Sequence, residues 1–250
     1  MTAKDLPKPL PCESAEVQLE LTDGTLPLSL GIEVPGGRVQ PVLARGVRAP
    51  HRHTELYSTA DPFQMAAEFH IVMGERPLCR DNLDVARVRV RNVKWSGAGV
   101  PKIEIAFAID KNGLLSISTT NKDKKSTEML AHVAAPVITA ADVEAALADA
   151  EAHGDEDEQH RKNIDMMLSG YYLLDQGYER FSIAKRRMGL IRKRAYKSTR
   201  NRLQKALNVM PPEATEATMA ELESALDAYR AFYESLETDY KMVMGWWNKK

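Results

Sequence analysis

The spacing of apolar residues changes near residue 137, and this change sets the fold class. Before it, short segments alternate apolar with polar or small residues, the period of strands that bury one face. These segments are VQLEL, PLSLGIEV, AAEFHIV, VARVRVRNV, KIEIAFAI and LLSIS. After it, apolar residues recur every three or four positions, which is typical of helices. The sequence therefore predicts an α+β chain, with a flexible tail over 1–18, an antiparallel β-sandwich over 19–137 and a C-terminal helical region over 138–250.

The clearest strand pair lies in the second half of the predicted sandwich. KIEIAFAI is followed by the turn DKNG, Asp110 to Gly113, and then directly by LLSIS. Asn-Gly between alternating apolar runs is the strongest short-range signal for a hairpin. In VARVRVRNV, valines alternate with arginines. One face of that strand is therefore predicted to face water.

The helical region is predicted to hold a short helix, a very long helix and a final helix. Thr139 is predicted to cap the first helix, which ends at Gly154. The second runs from about Asp155 to Leu207, and Pro211-Pro212 separates it from the third. Two apolar seams follow steps of three and four residues. They are Ile164, Met167, Tyr171, Leu174, Tyr178 and Phe181, with Gly170 and Gly177 beside them, and Met219, Leu222, Leu226, Tyr229, Tyr233, Leu236, Tyr240, Val243 and Trp247.

Charge is distributed unevenly, although the formal net charge is only -1. Residues 138–165 hold nine acidic side chains, and residues 182–205 hold ten basic side chains and no acid. The basic run predicts either a patch for nucleic acid, an acidic partner or a membrane surface, or internal pairing with the acidic final helix. We favour internal pairing, because a reversal at Pro211-Pro212 would set acids beside bases and pack the two seams together.

Cysteine usage and hydropathy favour a reducing compartment without a membrane span. Cys12 and Cys79 lie far apart, which argues against a disulfide framework or a zinc motif. No apolar run approaches ~18 residues, and the first residues lack a signal-peptide core. We therefore expect a cytoplasmic protein.

Several blocks of the sandwich half resemble one known family. They are PLSLGIE with Gly36-Gly37, YSTA (57–60), GER (74–76), DN (81–82), GVPKIEIAFAIDKNGLLSIS (99–118) and the helical DAEAH (149–153). Their order and spacing are similar to those of the substrate-binding domain of heat-shock protein 70, the DnaK-type chaperones, over residues 19–175. Several dispersed motifs in register are far more specific than one short pattern.

The resemblance implies that the sandwich holds an extended apolar peptide. In that family PLSLGIE and the loop after it form one wall of a groove, where main-chain hydrogen bonds and one central side-chain pocket hold the peptide. Gly31 and the Gly36-Gly37 turn would then allow a peptide backbone to come close. Ile32 and Ile103, taken alone, fit ordinary core positions equally well. Carried over by position, the peptide-binding residues are Ile32, Val34, Tyr57, Ala67, Phe69 and Ile103 in the pocket, with Pro35 and Ala60 in the arch over the peptide.

The sequence departs from the family at the pocket and at the helical lid that follows it. Ala67 is smaller and Phe69 is larger than the residues usual at their positions, which predicts a reshaped or partly filled pocket. The charged pairs that tie the lid to the sandwich in the family correspond here to Pro62, Ala98, Tyr171 and Asp175. Three of these side chains cannot ionise near neutral pH, so the charged latch loses its basis.

A further departure concerns nucleotide binding. Only a short segment precedes VQLEL, and the sequence contains no glycine-rich phosphate loop. We therefore expect a stand-alone module that neither binds nor hydrolyses ATP. One hypothesis places Leu6 or Leu10 of the proline-rich LPKPLP segment in the groove of the same or a neighbouring molecule, and the simpler alternative is a disordered tail.

No group of residues in the sequence predicts catalysis. His51 and His53 lie close together without a second pair of ligands, so we expect a surface loop there and no metal site. His70 is expected to face outward from a strand, and Cys79 lacks the features of a nucleophile. We expect no enzyme activity, no metal and no cofactor.

Two functions remain open. The favoured one is a chaperone-type module that binds extended apolar segments of unfolded proteins, without its own ATPase. The alternative is a structural or adaptor subunit that uses the sandwich as a scaffold and its basic and seam helices to join a larger assembly. The expected partners are an unfolded polypeptide and a separate nucleotide-binding chaperone or larger protein assembly, whereas nucleic acid is less favoured.

Overall fold

The computed structural model describes residues 10–34, 36–59, 63–97, 99–123, 128–209 and 215–247. The chain forms two compact units, Met1–Asp157 and Glu158–Lys250. The division therefore falls later than the expected boundary at residue 137. The reason is that the first helix joins the sandwich core through Val143, together with partly buried Ala146 and Leu147.

The first unit is built from a six-stranded and a five-stranded sheet. In chain order the strands are β1 (Leu10–Pro11), β2 (Ala15–Leu19), β3 (Leu30–Val34), β4 (Arg38–Leu43), β5 (His51–Tyr57), β6 (Ala66–Met73), β7 (Leu83–Arg91), β8 (Ile103–Ile109), β9 (Leu114–Asn121), β10 (Glu128–Val133) and β11 (Val137–Ile138). The sheet orders are β1-β10-β7-β6-β3-β4 and β11-β2-β9-β8-β5. Apart from the parallel pair β11–β2, the described pairs are antiparallel. One apolar core contains residues of both sheets, which confirms the antiparallel sandwich.

The predicted hairpin and the one-sided strand are both confirmed. β8 pairs antiparallel with β9, and the carboxylate of Asp110 accepts hydrogen bonds of 2.8 Å from the backbone N–H groups of Asn112 and Leu114. Gly113 has a φ of 85°, a left-handed conformation that favours glycine. In β7, Val88 and Val90 are fully buried while Arg89 and Arg91 face solvent.

The expected flexible tail is wrong from residue 10 onward. β2 begins at Ala15, and the alternation extends toward the N-terminus because Ala15 and Val17 are both buried. Leu10 lies in β1 opposite Ala131 of β10, so its backbone pairs within the sheet. Leu6 lies outside the described residues. His51 and His53 belong to β5, which corrects the expected surface loop.

Five helices follow the sandwich among the residues that the structure describes. They are α1 (Ala140–Ala152), α2 (Gly154–Ala184), α3 (Leu190–Val209), α4 (Glu216–Ser235) and α5 (Glu237–Trp247). Thr139 caps α1 as predicted, in a capping box with Asp142. The prediction of one very long helix is wrong, because the helix is interrupted between Ala184 and Leu190. In this interval Gly189 weakens helix formation, and buried Met188 packs with Ala184 and Leu236. The final helix is interrupted at Leu236. None of the helices in the described part of the chain is long and apolar enough to cross a membrane.

The second unit confirms that the basic run pairs internally with acidic side chains. Within this run Arg202 binds Glu221 at 3.1 Å and Arg192 pairs with Asp239 of α5, while Arg180, just before the run, pairs with Glu237 of α5. These pairs join α2 and α3 to the last two helices. Pro211-Pro212, the predicted reversal, lies outside the described residues.

Close helix packing explains both seam glycines. A Cβ atom on Gly170 would come within 2.9 Å of Leu207, and one on Gly177 would overlap the side chain of Tyr229. The seam predicted along α2 needs a correction, because Tyr171 and Tyr178 are 46% and 63% exposed. The packed face of α2 therefore includes the glycines and excludes these two tyrosines.

Candidate peptide-binding groove

A cavity opens where two neighbouring strands of the six-stranded sheet separate. β3 pairs with β6 only through Leu30–Ile32 and Ile71–Met73, whereas β6 continues along β7 back to Ala66. The cavity between the diverging strands has a volume of about 370 Å³. It is lined by Ile32, Glu33, Val34, Tyr57, Ser58, Thr59, Gln64, Ala66, Ala67, Glu68, Phe69 and Arg89.

The structure brings five of the eight residues predicted for the groove to this cavity. They are Ile32, Val34, Tyr57, Ala67 and Phe69. Ile103 does not line it; this residue is fully buried in β8, in the other sheet, opposite Tyr57. Pro35 and Ala60, the predicted arch, lie outside the described residues.

Two aromatic rings form part of the apolar lining. The rings of Tyr57 and Phe69 are tilted by 57° with their centroids 5.5 Å apart, a favourable edge-to-face type of contact. The hydroxyl of Tyr57 donates a 2.6 Å hydrogen bond to the carboxylate of Glu55. Burial and then this hydrogen bond raise the pKa of Tyr57 above its ordinary value, so the phenol stays neutral. Phe69 is buried, and the small side chain of Ala67 leaves space beside it.

Polar groups lie at the edge and in one wall of the cavity. Glu33, Glu68 and Arg89 are exposed, so the mouth carries both signs of charge. The hydroxyls of Ser58 and Thr59 are buried without a hydrogen-bond partner among the described residues. Buried hydroxyls normally find partners, so these two are available to a further polar group. Both residues belong to the YSTA block, but the sequence argument assigned only Tyr57 and Ala60 to the groove.

The structure explains the glycine at position 31 differently from the sequence-based prediction, which linked it to the approach of a peptide. A Cβ atom at this position would lie 2.9 Å from the carbonyl oxygen of Gln40 and would overlap the side chain of Val39. The close approach is therefore made by β4 within the sheet and not by a bound peptide. Gly36 and Gly37 have φ values of 93° and 71°, so the turn after β3 does require glycine-like backbone.

A buried arginine ties the sandwich to the start of the helices within the first unit. Arg76 is 8% exposed, and its guanidinium donates hydrogen bonds of 3.0 to 3.2 Å to Asp157 and one of 3.0 Å to Asp149. The bonds to Asp157 in particular raise the pKa of Arg76, which stays charged. Of the positions considered for a charged latch, Pro62 and Ala98 lie outside the described residues. The sequence argument missed Arg76, although GER and DAEAH were both among its matching blocks.

The described residues thus form a β-sandwich with a cavity between diverging strands, followed by helices. The family model described as Hsp70 protein matches residues 11–234, and the chain belongs to this family.

Two curated relatives illustrate the likeness. Chaperone protein dnaK1 of Parasynechococcus marenigrum (strain WH8102) is 32% identical over 176 residues, which cover 70% of this chain and 27% of that protein. Chaperone protein dnaK1 of Prochlorococcus marinus (strain MIT 9313) is 32% identical over 212 residues, or 83% of this chain and 32% of that protein. The chain thus spans about a third or less of the length of these relatives.

Proposed function

We propose that this chain is a chaperone-type module that binds extended apolar segments of unfolded proteins in the cavity between β3 and β6. The observation that carries the proposal is the divergence of these strands, which leaves an apolar cavity lined by five residues of the predicted groove. Membership of the Hsp70 family supports it.

The cavity suits one apolar side chain of an extended peptide. Pairing between β3 and β6 ends at Ile32, so main-chain groups farther along both strands can bond to a peptide strand laid between them. The hydroxyls of Ser58 and Thr59 add polar groups in the same wall. Full burial of a Leu or Val side chain contributes roughly 1.5 to 3 kcal/mol, and Ala67 leaves the space for it. The peptide backbone then gives affinity, and the cavity selects an aliphatic side chain.

The proposal includes the absence of an ATPase within these residues. The sequence has no glycine-rich phosphate loop, and the described residues fold into a sandwich and helices. A separate nucleotide-binding chaperone would then supply any ATP-driven step, as a partner of this chain.

The test is to fill the cavity by Ala67→Trp and measure binding of a fluorescein-labelled, leucine-containing peptide by anisotropy. We expect affinity to fall by about tenfold or more, because the anchoring side chain loses its burial. Ala145→Trp adds the same bulk on the exposed side of α1 and should bind as wild type. Circular dichroism checks that both variants fold.

Wild-type affinity in folded Ala67→Trp would contradict the groove assignment. The adaptor role would then be the better account. Leu190 and Ile191, which are 75% and 84% exposed beside the basic turn at 185–187, would offer a surface for it.

A further inference from the structure

Three side chains that can bind a metal meet beside the wall of the groove. Glu33 comes from β3, His70 from β6 and Cys79 from a short 3₁₀ turn after β6. One ligand atom of each lies within 4.8 Å of the other two. The sequence separates these residues widely, so only the folded sheet reveals the cluster.

The chemistry of the three donors selects a borderline transition metal. A thiolate sulfur, an imidazole nitrogen and a carboxylate oxygen are the ligands that Zn²⁺ takes in proteins. Mg²⁺ and Ca²⁺ prefer sites made of oxygen atoms alone, so the sulfur and nitrogen donors disfavour them. Three protein ligands leave a fourth tetrahedral position for water or another donor.

The distance between the glutamate and histidine ligand atoms is close to that which coordination needs. Glu33 Oε2 lies 2.6 Å from His70 Nδ1, a hydrogen-bond distance. Two such atoms bound to one zinc ion at about 2.0 to 2.2 Å would lie roughly 3.4 Å apart. The side chain of Glu33 is 38% exposed, so the carboxylate has room to withdraw by about that difference. Cys79 is only 4% exposed, and its S–H donates a 3.4 Å hydrogen bond to the carbonyl oxygen of Arg38, a bond that the thiol gives up when it loses its proton to bind the ion.

Asp84 orients the histidine from its other side. Its Oδ1 lies 3.1 Å from His70 Nε2, Arg87 Nη2 lies 3.3 Å from the same nitrogen, and Nδ1 lies against Glu33. Once Nδ1 binds an ion, the ring keeps its proton on Nε2, where Asp84 accepts it. Metal-binding histidines usually make such a second bond to a carboxylate, which fixes the ring and its tautomer. Arg87 Nη2 lies 3.6 Å from Asp84 Oδ2 and balances the charge of that carboxylate.

We propose that Glu33, His70 and Cys79 form a Zn²⁺ site, with Asp84 as the residue that positions His70. The thiol and Nδ1 give up their protons when the ion binds. Glu33 lies between Ile32 and Val34 and itself lines the groove. A bound ion would therefore tie the β3 wall of the groove to β6 and to the turn at Cys79, which couples metal binding to peptide affinity.

Titration of the full chain with Co²⁺, a spectroscopic stand-in for Zn²⁺, tests the site. We expect a thiolate-to-cobalt charge-transfer absorption that Zn²⁺ displaces. Cys79→Ser should abolish it, and Cys12→Ser, which removes the other cysteine, should leave it unchanged. Asp84→Asn should weaken metal affinity by about 10- to 100-fold, the usual effect of losing such an orienting carboxylate. Zn²⁺ should also slow alkylation of Cys79 in the unaltered protein, a measurement that needs no variant.

Absence of the charge-transfer absorption in the unaltered protein, or its persistence in folded Cys79→Ser, would overturn the metal site. Unchanged alkylation of Cys79 with saturating Zn²⁺ would do the same. Only the coupling to peptide affinity rests on the proposed function. Failure of the groove in the Ala67→Trp experiment would therefore leave the cobalt spectrum and the alkylation result unaffected.

Discussion

Removal of the guanidinium of Arg76 should detach α1 and the start of α2 from the sandwich. Arg76→Met keeps most of the aliphatic stem but deletes every hydrogen bond to Asp157 and Asp149. The carboxylate of Asp157 is only 2% exposed, so water cannot replace the lost cation. The variant therefore leaves a buried negative charge without its guanidinium.

The expected cost follows from this burial. Removing one partner of a buried ion pair destabilises a protein by about 3 to 5 kcal/mol, since the remaining charge has lost its compensation. With a urea m-value of about 2 kcal/mol per M, a loss of about 4 kcal/mol lowers the unfolding midpoint by about 2 M. Replacing Arg76 by Met and Asp157 by Leu together should recover much of the loss, because the buried carboxylate is then removed as well, and the side chains of Asp149 and Glu156 are 46% and 54% exposed.

Urea unfolding followed by circular dichroism measures the midpoint, and hydrogen exchange with mass spectrometry locates the effect. Faster exchange is expected over residues 140–157, where α1 and the first turn of α2 lie. Arg91→Met is the matched control. Arg91 and its partner Glu128 have side chains that are 50% and 43% exposed, so its loss should cost less than about 1 kcal/mol.

A midpoint in Arg76→Met equal to that of Arg91→Met, with unchanged exchange over 140–157, would refute this reasoning. It would show that the apolar contacts of Val143, Ala146 and Leu147 suffice to hold α1 on the sandwich. If the single and the double variant lose the same free energy of unfolding, the buried charge of Asp157 is not the source of the destabilisation.

Two further predictions concern the second unit. Gly177→Ala should lower the thermal midpoint of unfolding, because the new Cβ overlaps Tyr229. This is expected even though alanine favours a helix over glycine by about 1 kcal/mol. The control is Gly154→Ala, which should not lower the midpoint because a Cβ there meets nothing within 4 Å. A higher midpoint in Gly177→Ala would contradict this packing. Truncation after Met210 should expose Leu207 and its apolar neighbours, so we expect the shortened protein to associate while its sandwich stays folded. Light scattering after size exclusion measures the association. A monomeric truncated protein with α3 protected from exchange would contradict it.

The period of apolar residues predicted the sandwich core but not all of its strands. Apolar and polar residues alternate clearly in four strands because one face of each packs on the core; these are β6, β7, β8 and β9. β5, HRHTELY, lies at the edge of the five-stranded sheet, and exposed residues such as Leu56 dominate it. An edge strand that buries little has no periodic signal, so the sequence argument took its histidines for a loop.

Helix ends were harder to predict than helix faces. The seam residues Leu222, Leu226 and Tyr229 are buried as their spacing indicated. The interruption at 185–189 was not predicted, because a single glycine costs a helix only about 1 kcal/mol and tertiary packing decides whether the helix continues. Here Met188 packs with Ala184 and Leu236, a contact between residues far apart in sequence.

The residues that line the groove could not be identified from the apolar pattern of single segments. The residues that line it are predicted because several blocks match a family in register. Alternation alone places Ile32 and Phe69 in the core, where both lie, but it does not show that they also line a cavity. Ile103 has the same alternation and lies in the core without lining the cavity. The two outcomes differ because β3 leaves β6 after Ile32, and strand divergence is a property of the sheet that no single segment encodes.

Gly31 connects this divergence to the sequence. β3 pairs with β4 along Leu30–Val34, with a register shift between Leu30 and Gly31, while its pairing with β6 stops at Ile32. The absence of a side chain at Gly31 allows the backbone of β4 to lie against it. β3 therefore follows β4 after Ile32, and the space left beside β6 becomes the cavity. Gly31 therefore contributes to the cavity indirectly. It permits the close packing of β3 on β4, and this packing keeps the end of β3 apart from β6.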